Sequence, residues 1–227
     1  MYSSNLLEII KNIAIAFLIL LSAVKIGFSQ TSSYADNQES DSNFLDRLAW
    51  VNEKKTDIHE MNFIVGYSFA STKGVWGKIP KATLSIYTLR YNRKLVTYNA
   101  KHLLEYTAEA NLAANYTLSN TPRYQAGSYS GFGIAPLGFQ FNLNQHNIIQ
   151  PFLKSSAGFM YFKKPFPDNR GVQFNLTLEL GAGMEVMVLD HASVTVGYKY
   201  HHMSNAHLGE INPGVDSNIF YTGFTIF

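Results

Sequence analysis

From about residue 60 onward, apolar and polar residues alternate with a period of two, in eight segments separated by turn-forming stretches. Successive side chains of a strand point to opposite faces, so each segment predicts a strand with one greasy and one polar side. The predicted strands cover about 60–71, 81–93, 104–116, 129–143, 148–162, 172–188, 193–204 and 217–227. The third is the clearest: Leu104, Tyr106, Ala108, Ala110, Leu112, Ala114 and Tyr116 share one face, with Glu105, Thr107, Glu109, Asn111 and Asn115 on the other. In the sixth, Val172, Phe174, Leu176, Leu178, Leu180, Met184, Val186 and Val188 oppose Gln173, Asn175, Thr177, Glu179 and Glu185. A parity break near Pro136 predicts a bulge or bend in the fourth.

This pattern predicts an all-β fold, an eight-stranded antiparallel transmembrane β-barrel of the outer membrane. A lipocalin-like barrel or a sandwich would instead turn the apolar face inward. Two features favour the membrane. The sixth segment alternates well beyond the usual length of a globular strand, about five or six residues. The polar faces also gather Glu105, Glu109, Glu179 and Glu185 with Lys154 and Lys199, which suits a lumen packed by side chains rather than a pore. The last predicted strand ends on Phe227, as closing strands of outer-membrane proteins do. With the first strand starting from the periplasm, the connections 73–80, 117–127, 163–171 and 205–216 face the exterior. The turns 94–103, 144–147 and 190–191 face the periplasm, the first of them long for such a barrel.

The segment before the strands sets the address. Ile13 to Val24 is an apolar run preceded by Lys11 and followed by Lys25, Gly27, Phe28 and Ser29. A run that short, with small residues after it, predicts a secretory signal peptide cut after Ser29, rather than a spanning helix of about 20 residues. The expected organisation is therefore a signal peptide over 1–29, a polar periplasmic segment over 30–58 and the barrel over 59–227. Net charge is +2 with 15% charged residues, so no basic field argues for nucleic acid. Cysteine is absent, which removes thiolate catalysis, disulfides and thiolate metal sites.

One strand carries candidate chemistry. In the seventh, Val194, Val196, Tyr198, Tyr200, His202 and Ser204 share the apolar face, while Ser193, Thr195, Gly197, Lys199, His201 and Met203 face the lumen. His202 and Ser204 are thus neighbours on one face, about 6.5–7 Å apart at Cα. An imidazole beside a hydroxyl is the smallest unit that activates a serine nucleophile. If His202 pairs with Asp216 across the last hairpin, then Tyr198 meets Phe220, Val196 meets Thr222, Val194 meets Phe224, and Tyr221 covers Gly197. That register puts a carboxylate beside the imidazole and completes a nucleophile, base and orienting acid. It also sends Phe227 to the lumen side unless a bulge intervenes.

Taken singly, these residues have plainer readings. Ser204 and Asn205 could begin a loop, and His202 could extend the interfacial belt of Tyr198 and Tyr200. His207 reads as a loop residue and Asn212-Pro213-Gly214 as turn chemistry. His201 and His202 point to opposite faces and could not share one metal ion, so no metal site is expected.

The run His202-Met203-Ser204-Asn205-Ala206, with an acid twelve positions after the serine, resembles the outer-membrane lipid A 3-O-deacylases, the PagL family. The resemblance extends through the strand layout over about 60–227. It implies that His202 and Ser204 are catalytic and that Asp216 stands where the family usually carries Glu. It further implies that Asn205 stabilises the oxyanion, and that His207 stands at a position that is glycine in the pattern. The implied activity is hydrolysis of the 3-position ester of lipid A in the outer leaflet, without cofactor, releasing a 3-hydroxy fatty acid. A non-catalytic structural or adhesion barrel, or a lipid A acyltransferase, are the competing readings. Oligomeric state has no signal in the sequence.

Overall fold

A computed structural model describes residues 59–70, 74–189 and 191–227. The expected signal peptide over 1–29 and polar segment over 30–58 lie outside the described residues. Eight strands follow one another: β1 (His59–Ser68), β2 (Ala82–Tyr98), β3 (His102–Leu118), β4 (Gly127–Leu143), β5 (Ile149–Phe166), β6 (Val172–Leu189), β7 (Ala192–Ser204) and β8 (Val215–Ile226). Each pairs antiparallel with its sequence neighbour, and β1 pairs with β8 to close the barrel. Closure leaves no open edge, the arrangement that a strand-built membrane span requires.

The apolar face points outward. Phe63, Leu112 and Leu153 are each more than half exposed, at 55%, 62% and 55%, while Glu105, Glu109, Glu179 and Lys199 are buried at 3% or less. A lipocalin-like arrangement would reverse this, so the outer surface is the lipid-facing one. Inside, Glu109 accepts from Arg90 Nε at 2.7 Å and from Lys154 Nζ, and Glu179 binds Lys199 Nζ at 2.9 Å and His201 Nδ1 at 2.8 Å. The outer end of the lumen is filled instead by an apolar plug that includes Tyr116, Phe162, Phe166, Met203 and Ile219.

The bulge expected at Pro136 is present. The β4–β5 register shifts between Ile134 and Leu137, and the β3–β4 register between Thr107 and Glu109. The expected first periplasmic turn over 94–103 is corrected. β2 continues to Tyr98, a register shift between Lys94 and Val96 restores its pairing with β3, and the turn shrinks to 99–101. Asn99 and Ala100 take positive φ values of 50° and 53° there, a tight hairpin turn built without the glycine that would have marked it. β1 also ends at Ser68, earlier than expected, and β5 runs on to Phe166.

The β7–β8 register matches the expected one at every pair: Val194 with Phe224, Val196 with Thr222, Tyr198 with Phe220 and His202 with Asp216. Tyr221 lies over Gly197, where a Cβ would sit 2.5 Å from the ring. The Phe227 conflict disappears because β8 ends at Ile226, and Phe227 lies past the strand with its N–H donating to His191 O at 3.1 Å.

Candidate active site

The four long connections, 69–81, 119–126, 167–171 and 205–214, emerge at one end of the barrel, and His202, Ser204 and Asp216 sit at that end. On β7, Lys199, His201 and Met203 are buried in the lumen, while Tyr200, His202 and Ser204 are half-buried on the outer face. Asp216 sits opposite His202, and its Oδ1 lies 2.6 Å from His202 Nδ1. A carboxylate only accepts, so Nδ1 carries the proton of that contact and Nε2 is the nitrogen left for a hydroxyl.

Asp216 is on the outer face yet only 2% exposed, because the first outer connection straps across it. β1 neighbours β8, and residues 76–77 of the connection between β1 and β2 lie against the start of β8. The backbone N–H groups of Trp76 and Gly77 donate to Asp216 Oδ2 at 2.9 and 2.8 Å. Only glycine fits at two positions of the strap: a Cβ on Gly74 would lie 1.9 Å from Oδ2, and one on Gly77 would lie 2.6 Å from the Asp216 nitrogen. The strap is tied to the last connection by Lys78 N–H donating to Pro213 O at 2.8 Å and Ile79 N–H to Gly214 O at 3.3 Å. The Trp76 indole packs edge-on against His202 at 5.3 Å and Tyr200 at 6.0 Å between centroids. Asp216 is thus gripped on both oxygens.

Asn205 is buried and fully engaged in shaping the turn after Ser204. Its Oδ1 accepts from His207 N–H at 3.1 Å, its Nδ2 donates to Ile211 O at 2.8 Å, and its own N–H donates to Asn212 Oδ1 at 3.0 Å. Ala206 and His207 both take left-handed φ values, 50° and 63°. His207 thus adopts a conformation that glycine reaches without strain. The Ser204 hydroxyl makes no hydrogen bond among the described residues, and borders a small cleft formed with Phe166, Pro167, Asn175, Asn212 and Gly214.

The strap was not foreseen from sequence. Its signal was there: Val75 and Trp76, bulky and apolar, stand between two glycines in a connection that should be polar. Asn212 was legible only as turn chemistry, because its role as acceptor for Asn205 depends on the folded loop. Among the described residues, no group of three or more His, Asp or Glu side chains is placed to hold a metal.

A family model described as lipid A 3-O-deacylase (PagL) matches residues 85–225, from β2 to the end of β8. The chain belongs to the lipid A 3-O-deacylase (PagL) family. Of solved structures, the crystal structure of the outer membrane enzyme PagL matches at a TM-score of 0.54 and 18% identity, over 72% of this chain and 97% of that one. The crystal structure of Neisserial surface protein A (NspA) gives 0.48 and 11% over 75% and 97%. The Yersinia pestis outer membrane protein Ail, in a phospholipid bilayer nanodisc, gives 0.36 and 14% over 74% and 99%. No curated protein sequence matches significantly. The PagL likeness carries the fold, an outer-membrane β-barrel, and the family match carries lipid A deacylation as the general activity.

Proposed function

We propose that this PagL-family chain is a serine esterase that hydrolyses the 3-position ester of lipid A in the outer leaflet. The observation that carries the reading is the 2.6 Å His202–Asp216 contact on the lipid-facing side of the barrel, with Ser204 next along the same face. A soluble esterase must draw its substrate into a pocket. Here the acyl chain stays in lipid, and only the ester needs to meet protein.

In the proposed reaction, His202 Nε2 takes the Ser204 proton as the hydroxyl oxygen attacks the ester carbonyl. The tetrahedral intermediate collapses, the sugar oxygen leaves with the proton returned by His202, and the 3-hydroxyacyl group stays on Ser204. Water then repeats the sequence, activated by His202, and releases the 3-hydroxy fatty acid. Asp216 holds the imidazole tautomer and stabilises its cation. Asn205 serves the oxyanion from within the turn: its three hydrogen bonds fix the adjacent Ala206 N–H, which has no partner among the described residues and is the donor to the oxyanion. Such a donor is worth about 3 kcal/mol where charge develops in the transition state. The reaction needs no cofactor.

Mass spectrometry of lipid A from cells making wild type or Ser204→Ala tests this. Loss of one 3-hydroxyacyl group from the 3 position, dependent on Ser204, is expected. Identical lipid A in both strains would favour a structural or adhesion barrel, and a gain of acyl mass an acyltransferase.

A further inference from the structure

A second opening lies at the same end of the barrel. It is a cavity of about 430 Å³ between the second and third outer connections, lined by Arg123, Tyr129, Lys164, Pro167, Asp168 and Arg170 among others. Three cations therefore surround it against one carboxylate. That carboxylate is already committed: Asp168 Oδ2 accepts from Arg170 Nη2 at 2.7 Å, and this hydrogen bond holds the Asp168 carboxyl below its ordinary range. Arg123 and Lys164 make no ion pair among the described residues, and the Lys164 ammonium rests 4.3 Å from the centre of the Tyr129 ring. Two cations without an ion-pair partner among the described residues, facing one opening, make it a candidate site for an anion.

The cavity adjoins the proposed ester site. Pro167 lines both this cavity and the cleft beside Ser204. The walls are tied together: the Tyr129 hydroxyl donates to Pro167 O, and Ile211 N–H donates to Arg170 O at 3.2 Å, joining the third connection to the one that carries Asn205. An acyl ester reacting at Ser204 would bring its sugar head group to the solvent side, where this cavity opens. A guanidinium fork and an ammonium suit the oxygens of a phosphate monoester, and the volume admits a phosphate with part of its sugar.

We infer that the Arg123–Lys164–Arg170 cavity binds a phosphate on the saccharide of the lipid substrate and so registers the ester against Ser204. The inference rests on the lipid A reading for its substrate, but its test is separable. Full-length Ser204→Ala protein, which leaves the lipid intact, is measured for binding to nanodiscs of bisphosphorylated lipid A and of the same lipid with both phosphates removed. Preference for the phosphorylated lipid by about tenfold or more is expected, falling as salt rises and lost in the Arg123→Ala/Lys164→Ala background. Heat-modifiable migration on gels shows that each variant is a closed barrel.

Equal affinity for the two lipids, or a preference that survives the double substitution, overturns the proposal. Inorganic phosphate distinguishes a head-group site from a site for the free ion: competition only at concentrations far above those of the lipid supports the former, and competition at equal concentration overturns it. Phosphate-dependent binding by a protein whose wild-type form cuts no lipid A would keep the cavity and remove the esterase reading.

Discussion

His202 and Asp216 face each other across the β7–β8 ladder and meet at 2.6 Å, while Asp216's other oxygen is held by two backbone N–H groups of a strap arriving from β1. The acid is therefore immobilised from two directions, and its length matters as much as its charge. Lengthening it to Glu adds a methylene of about 1.5 Å where Gly74 already leaves no room for a carbon. Asp216→Glu keeps the charge, yet is expected to lower the deacylation rate at least tenfold, about the effect of a misplaced catalytic group. Asp216→Asn keeps the shape and loses the charge, and should cost about 10³–10⁴-fold in kcat. Timed mass spectrometry of lipid A with purified protein reads both. An Asp216→Glu enzyme as fast as wild type would show that the strap does not constrain the acid.

The strap itself yields a second test. A Cβ at position 77 would lie 2.6 Å from the Asp216 nitrogen and 2.8 Å from the Val215 carbonyl carbon, neither of which belongs to a side chain that could swing away. Gly77→Ala should lift the strap, withdraw two hydrogen bonds from Asp216 and lower kcat by about 10–100-fold with KM little changed. The barrel should stay folded, because the strap contributes no strand. A rise in KM at constant kcat would mean that the strap contacts substrate instead.

The barrel was legible because its physics is local. Alternation on β3 and β6 states which face meets lipid, and a one-residue slip between β7 and β8 would have turned Val194, Val196 and Tyr198 inward. The same reasoning located the His202–Asp216 pair. What the sequence concealed depends on contacts between distant connections. Trp76 and Asp216 are held together by a hydrogen bond spanning 140 residues of chain, and no period in either segment announces it. The 94–103 turn departs from expectation for a different reason: Lys94 looks like a loop residue, and a bulge that resets the register has no composition of its own.

Asn205 and Asn212 should act as one unit. Asn205 contributes three hydrogen bonds to the turn after Ser204, and Asn212 receives one of them. Asn205→Ala is expected to reduce kcat by on the order of 10²-fold, the scale of a lost oxyanion donor, and Asn212→Ala by less. The double substitution should cost less than the sum of the two, since both residues shape one turn and groups sharing one network are not additive. Strict additivity in kcat would separate the two residues and detach Asn212 from the turn.

Glu109 carries the last test, one of the barrel rather than the site. Its carboxylate receives Arg90 and Lys154, and lies 3.6 Å from Lys199 through its second oxygen. Lys154 and Lys199 are shared with Glu179, but Glu109 reaches all three cations, and their burial together holds only while it is charged and present. Glu109→Ala removes the countercharge without readmitting water, and should destabilise the barrel by about 3–5 kcal/mol. Replacing Arg90 and Glu109 together by Met and Leu removes charge on both sides and should recover part of that loss. Urea unfolding in lipid vesicles, followed by tryptophan emission and gel migration, measures it. A Glu109→Ala barrel within 1 kcal/mol of wild type would mean that water reaches the lumen and that its ion pairs are not what holds the wall in register.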